Sequence, residues 1–122
     1  GAIYNEDTIN AVGNFVNNYI FAKSKTYTAF SYGGAIYNDN GNIDVVGDFI
    51  GNYVFSSVNE NSAISGGGAI YSTKSLNIIN CTFENNYAGT AGGAIYATGN
   101  GFILNVYNNT RNNWPNNWLS LQ

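Results

Sequence analysis

The chain has 122 residues, enough for one domain with a sizeable core, yet only 9% are charged against about 25% in an average globular chain, and 23 Asn and 15 Gly fill the gap. A net charge of −3 with four basic residues excludes an electrostatic footprint for nucleic acid, and no apolar run approaches the roughly 20 residues of a membrane-spanning helix. Ten Tyr, seven Phe and two Trp among 44% apolar residues set the chain apart from disordered sequences.

In chain order, the sequence opens on Gly1-Ala2-Ile3-Tyr4, and Gly-Gly-Ala-Ile-Tyr returns whole at 33–37, 67–71 and 92–96. An apolar–polar alternation follows at Ile9–Val12, with counterparts at Ile43–Val46 and Leu76–Ile79, each bounded by Gly and Asn turn signals. Then comes Phe-x-x-Asn, at Phe15–Asn18, Phe49–Asn52 and Phe83–Asn86, each followed by a tyrosine: Tyr19, Tyr53 and Tyr87. Successive Phe residues lie 34 apart, while Tyr4, Tyr37, Tyr71 and Tyr96 are spaced 33, 34 and 25. Two motifs in step at such a period signal a repeat architecture. Gly-Gly pairs, Asn-Asn pairs and β-branched clusters disfavour helix, and no 3.6-residue stripe appears.

Each unit therefore reads as short strands joined by tight turns, stacked about 4.8 Å apart with like residues over like. The expected fold is all-β, a parallel β-helix (solenoid) of about four to five coils with a non-repeat C-terminal tail. Ile of each Gly-Gly-Ala-Ile-Tyr points inward, and Tyr4, Tyr37, Tyr71 and Tyr96 form an outward row. Asn18, Asn52 and Asn86 fall at a turn, where Asn tolerates left-handed backbone and can bond to its copy in the next coil.

Between each Asn-Tyr and the next Gly-Gly-Ala-Ile-Tyr, units one and two carry 13 residues, Ile20–Tyr32 and Val54–Gly66, and unit three only four, Ala88–Ala91. Insertions at one corner of a stack emerge side by side, and such a face is often where solenoids bind. Lys23, Lys25, Tyr27 and Tyr32 on the first, with Asn59 and Glu60 on the second, are the candidate ligand contacts. The plainer alternative is that these loops only shield one side of the stack. After residue 100 the pattern departs: Tyr107–Thr110 stands where Phe-x-x-Asn is due. The expected division is repeats over 1–107 and a tail over 108–122, whose Trp114, Trp118, Leu119 and Leu121 cap the last coil or dock on another molecule. The lack of Met and of a signal peptide is what a processed chain or a piece of a longer one would show.

Chemistry-bearing residues are few. There is no His, which removes the commonest general base and any Ser-His-Asp or Cys-His arrangement. Asp44 and Asp48 are the closest carboxylate pair within a coil, but they align with Asn10, Asn77 and Asn14, as members of a polar ladder would. No enzymatic activity, metal or cofactor is expected. Asp39–Asn42 with Asp44 lacks the acidic spacing of a calcium loop, and the single Cys81 makes neither a disulfide nor a zinc site. Beside an Asp/Asn position, Cys81 is expected to be partly buried, with a link to a neighbour left open. Asn80 and Asn108 head glycosylation sequons, two where about three arise by chance at this composition.

The pairing of Gly-Gly-Ala-(Ile/Leu/Val) with Phe-x-x-Asn resembles the repeat of the chlamydial polymorphic membrane proteins, a family of autotransporter adhesins. The unit from Gly67 to Tyr96 also resembles Asn-rich adhesin-like surface proteins of methanogenic archaea. The resemblance covers roughly residues 1–100. It implies a right-handed β-helix, an extracellular, cell-surface location, and a part in adhesion or surface coating. The implied partner is a host or neighbouring-cell glycan or protein. Copies of the chain stacking end to end into a filament or sheath are the alternative, and a polysaccharide-processing enzyme is a distant third.

Overall fold

The computed structural model describes residues 1–24, 29–58, 63–78, 81–104, 109–116 and 118–120. Among these the chain is all-β, with no helix. The first layer holds β1 (Ile3–Asn5), β2 (Thr8–Val12), β3 (Phe15–Val16), β4 (Tyr19–Ser24) and β5 (Ala29–Tyr32). The second holds β6 (Ile36–Asn38), β7 (Asn42–Val46), β8 (Asp48–Ile50), β9 (Tyr53–Val58) and β10 (Ala63–Gly66). The third has β11 (Ile70–Ile78), β12 (Thr82–Glu84) and β13 (Tyr87–Ala88), and β14 (Ile95–Leu104), β15 (Asn109–Arg111) and β16 (Trp118–Ser120) complete the described strands. All pairings between them are parallel and join one layer to the next, in four separate sheets.

The register puts like over like. Ile3, Ile36, Ile70 and Ile95 form one column, Ile9, Ile43 and Leu76 a second, and Phe15, Phe49 and Phe83 a third. Ile36, Ile70, Ile95, Leu76, Phe49 and Phe83 are wholly buried. The three Phe rings stack at 4.8 and 4.9 Å, nearly parallel at 6° and 9°. Cys81 is also in this core, 2% exposed, its thiol donating to the Val45 carbonyl. It is therefore not partly buried as expected, because it stands one residue before the Asp48 rung, where the chain faces inward.

The repeated Gly-Gly has two separate causes. The first glycine turns the corner with positive φ, 70° at Gly33 and Gly67 and 65° at Gly92. The second lies against the next layer's main chain: a Cβ on Gly34 would sit 2.0 Å from the Gly68 carbonyl oxygen, and one on Gly68 2.1 Å from that of Gly93.

Asparagine closes the opposite corner. Asn52 Nδ2 donates to Asn86 Oδ1 at 2.9 Å and to the Phe15 carbonyl at 2.8 Å, while its own Oδ1 accepts from Asn18 Nδ2 and the Asn18 amide. Asn86 repeats the pattern with Asn113 Oδ1 and the Phe49 carbonyl. The left-handed residues are the ones just before this column, Asn17, Gly51, Asn85 and Asn112, with φ of 56°, 65°, 58° and 56°. Asn18, Asn52 and Asn86 form the expected ladder, but the left-handed backbone expected of them belongs to the residue before each, which corrects that part of the sequence reading. A second ladder runs Asn5, Asn38, Ser72, with Asn5 Nδ2 to Asn38 Oδ1 at 2.8 Å and Asn38 Nδ2 to Ser72 Oγ at 3.0 Å.

The tail joins these ladders. Thr110 pairs in register with Phe83, and Asn113 Nδ2 donates to the Phe83 carbonyl at 3.0 Å. Trp118 stands opposite Ile95. The fourth counterpart of Phe-x-x-Asn is therefore Thr110–Asn113 and not Tyr107–Thr110. The buried amide had to be matched at the next rung, and Asn113 matches it.

Asn52→Ala is expected to cost about 3 kcal/mol in urea denaturation, since it orphans buried partners on both sides. Asn52→Asp should do no better, because its carboxylate would face the Phe15 carbonyl and Asn86 Oδ1, both acceptors. An Asp variant as stable as the parent would remove the ladder from this account.

Candidate functional site

The two long insertions are strands. β4 lies on β9 from Tyr19 over Tyr53 to Ser24 over Val58, and β5 lies on β10 from Ala29 over Ala63 to Tyr32 over Gly66. The chain runs out along one strand and back along the next in both layers, so the excursions form a two-layer wing on one corner of the stack. Alternation fixes its inside: Ala29, Ser31, Val54, Ser56 and Ser65 are buried. Ser56 Oγ donates to the Ile64 carbonyl at 3.0 Å. Its proton thus committed, it accepts from Ser31 Oγ at 2.8 Å, which ties the outgoing and returning strands together.

The wing's outer faces are aromatic. Phe21 stacks on Phe55 at 5.6 Å, and beneath the wing the Tyr53 ring continues onto Tyr87 at 4.9 Å and from Tyr87 onto Trp114 at 5.0 Å. Phe21, Phe30 and Tyr19 are 53%, 54% and 71% exposed. Tyr32 turns back to the main tyrosine row and packs 4.3 Å from Tyr71. This explains one departure from expectation: Tyr71, due to face outward, is only 8% exposed. The row itself is as expected, with centroid distances of 5.2, 5.0 and 5.5 Å from Tyr4 to Tyr96. Rings stacked so closely present edges to solvent and cover one another's faces, so a sugar ring has access only to the end members.

A cleft of about 340 Å³ opens between this row and the wing, walled by Ile3, Tyr4, Ile20, Tyr32 and Tyr37. At its rim the Tyr4 hydroxyl lies 3.0 Å from both Glu6 Oε1 and Asp39 Oδ2. With one proton it donates to one carboxylate at a time.

Of the residues singled out in sequence, Lys23 is exposed on β4, in register with Ser57. Tyr32 is on β5 against the tyrosine row, and Trp114 is 53% exposed on Tyr87. Trp118 and Leu119 lie on β16 opposite Ile95 and Tyr96. Lys25, Tyr27, Asn59, Glu60, Leu121, Asn80 and Asn108 lie outside the described residues. Asp44 is in register with Asn10 and Asn77, as the aligned repeats require. Among the described residues no group of three or more His, Cys, Asp or Glu could hold a metal. No described helix is long and apolar enough to cross a membrane. Phe21, Phe55, Ser31 and Ser56 were missed in sequence. Their signal was the shared Tyr-x-Phe of Tyr19–Phe21 and Tyr53–Phe55, which marks both insertions as copies of one strand.

Burial pushes the Tyr71 hydroxyl up to about 12, with smaller repulsion from Tyr37, Tyr32, Tyr96 and Asp39. Burial also raises Tyr32 and Tyr37, and Tyr4 is raised by its hydrogen bonds to Asp39 and Glu6. Above the ordinary value of 10.0 the unfolded chain loses these protons while the folded chain keeps them. Stability is therefore full below pH 10 and falls as pH rises toward 12. Denaturant titrations across that range should show the fall, and Tyr71→Phe should make it shallower. An equal slope in that variant would show that Tyr71 is not its source.

No curated protein and no solved structure matches the chain. Residues 55–73 and 80–98, which run from the wing and the Phe-x-x-Asn corner respectively into a Gly-Gly-Ala-Ile-Tyr strand, each match the Chlamydia polymorphic membrane protein repeat.

Proposed function

We propose that the chain is a non-enzymatic segment of an adhesin-like, extracellular cell-surface protein, in which a closed right-handed parallel β-helix serves as a rod and the wing as its contact surface. The observation that carries this reading is the double match to a repeat named for membrane proteins. The wing adds support: 13 residues in each of two layers are spent on a projection whose described outer face is aromatic and carries Lys23, while the third layer turns the same corner in four. A glycan or protein on a host or neighbouring cell is the partner. Lys23, Lys25, Tyr27, Tyr32, Asn59 and Glu60 are the contacts. The in-register Asp44 column supports the absence of catalysis, since a carboxylate exchanged for Asn in both adjoining layers has the place of a ladder member.

A second reading is end-to-end assembly into a filament or sheath, in which Trp114, Trp118, Leu119 and Leu121 meet the next subunit. Parallel in-register layers favour it, since every layer is a template for another.

Replacing residues 20–32 and 54–66 each by the short corner of residues 88–91 should leave the β-sheet circular dichroism intact and abolish retention on cells or glycan arrays. Undiminished retention would exclude the wing as the contact. Sedimentation velocity over a concentration series decides the second reading: growth in size that Trp114→Ala or Trp118→Ala reverses would favour assembly, and a constant monomer would dismiss it.

A further inference from the structure

The sheets of the stack do not stop at the same level. Among the described strands the first sheet has five rungs in a line, β1, β6, β11, β14 and β16, whereas the sheet of the Phe column has four, β3, β8, β12 and β15. β1 and β3 belong to one layer. A second copy of the chain adding its first layer in register beneath β15 would therefore bring its Ile3–Asn5 to the rung below β14. That rung is already held: Trp118–Ser120 pairs there with Ile95–Ala97. The crossing into β16 is also built unlike the one above it. Seven residues separate Tyr87 from Ile95, and three separate Trp114 from Trp118, although Trp114 lies on Tyr87 and Trp118 pairs with Ile95. One layer up, the amides of Gly67 and Gly68 are met by two carbonyls, those of Ala91 and Gly92, at 3.2 and 3.0 Å. At the tail a single residue meets both: the Asn116 carbonyl accepts from Gly93 at 2.8 Å and Asn116 Oδ1 accepts from Gly92 at 2.7 Å.

The opposite end of the stack carries the same columns with nothing over them. The Asn17 amide donates down to the Ile50 carbonyl at 3.0 Å, and since successive residues of a parallel strand serve opposite neighbours, the main chain of Val16 points up, away from the stack. Asn52 and Asn86 each accept at Oδ1 from the asparagine above; at Asn18, among the described residues, no donor reaches that oxygen. Val12, Val16 and Tyr19 are exposed. Tyr19 pairs with Tyr53 and so heads the column that runs through Tyr53 and Tyr87 to the exposed Trp114. Each column thus has one open end in the first layer and its other end at the tail, and β16 lies across the first sheet at the tail end only.

We propose that β16 is a latch over a self-association surface. Seated on β14 it keeps the tail end from accepting the first layer of a second copy; when it leaves, Ile3–Asn5 of that copy takes its rung and Phe15–Tyr19 comes beneath Thr110–Trp114, Tyr19 under Trp114. A second copy is the occupant that fits, because its first layer carries these columns in the order and with the main-chain direction of the layers already stacked. This goes beyond the reading of end-to-end assembly, in which the tail itself meets the next subunit: here the tail prevents the meeting, as an end cap does in a stack of repeats.

The test compares the whole 122-residue chain with one lacking residues 117–122, by sedimentation velocity over a concentration series, with circular dichroism to follow the sheet. The whole chain should keep one size, and the shortened chain should raise its mean mass about twofold or more over the same series. Val16→Pro removes an N–H that points away from the stack, a place where an edge strand tolerates proline. Introduced into the shortened chain, it should stop the growth and leave the sheet intact. Asn116→Ala in the whole chain takes the acceptor from the Gly92 amide and loosens the latch without removing it, so growth should begin at higher concentration than in the shortened chain. Should the shortened chain lose its sheet, this variant decides: growth that Val16→Pro stops supports the latch, and a constant monomer overturns it. Growth that Val16→Pro leaves untouched, or a constant monomer in both the shortened chain and Asn116→Ala, also overturns it. Growth of the whole chain that Trp114→Ala reverses overturns the latch and supports assembly through the tail; a constant whole chain beside a growing shortened one does the opposite.

Discussion

Stacking in exact register, layer on layer, is the constraint from which the rest follows. A residue inside such a stack meets a copy of itself about 4.8 Å away, so a buried polar group must be able to bond its own kind. The primary amide does this: Asn52 donates downward to Asn86 and accepts from Asn18 above, and still has a proton for the Phe15 carbonyl. A carboxylate or an ammonium cannot, since two like charges at that spacing repel. The composition with which the sequence opens, rich in Asn and poor in charge, is the signature of this rule. Where a carboxylate occurs, at Asp44, the adjoining layers carry Asn10 and Asn77 and no second charge is stacked on it.

The same rule separates the core from the wing. In the core, the inner members of the Ile and Phe columns are wholly buried, and strands as short as two to five residues suffice, as in β3 or β7. The wing has just two rungs and a narrow interior. It is held by small buried residues and one pair of serine hydroxyls, and by Tyr32, which bridges back to the tyrosine row. A projection so built stays in place because its strands continue the hydrogen bonding of the layers they leave, with its outer aromatic rings free of structural duty on one side.

Much of the stack was legible in the sequence because the in-register fold writes its period directly into the chain. The inward Ile column, the stacked Tyr row and the positions of the 9–12, 43–46 and 76–78 strands follow from that period alone, and the polymorphic membrane protein repeat was recognisable on the Gly-Gly-Ala-Ile-Tyr and Phe-x-x-Asn motifs. Three features were hidden, each for a physical reason. The insertions read as loops because their alternation is carried by Ser and Ala as much as by large apolar residues, which blunts the strand signal. The tail's rung was set three residues early, because Thr110 replaces the diagnostic Phe and only Asn113 before Trp114 keeps the ladder. Cys81 looked like a surface neighbour because its counterpart in the layer above is Gly47, which has no side chain to reveal its direction.

The unequal corner at Tyr87–Gly92 bears on how such a chain can change over generations. The ladders on either side of it keep their register whether that corner holds four residues or 13. Contour length at this one point is therefore uncoupled from the stack. An exchange of coding sequence between two units, with both breakpoints falling inside the Phe-x-x-Asn motif, would move a whole projection from one layer to another, or delete it, while every inward side chain kept its place. A stack of this kind can thus vary its outer surface by recombination without passing through unfolded intermediates, and the shared Asn corner is the joint at which the pieces fit.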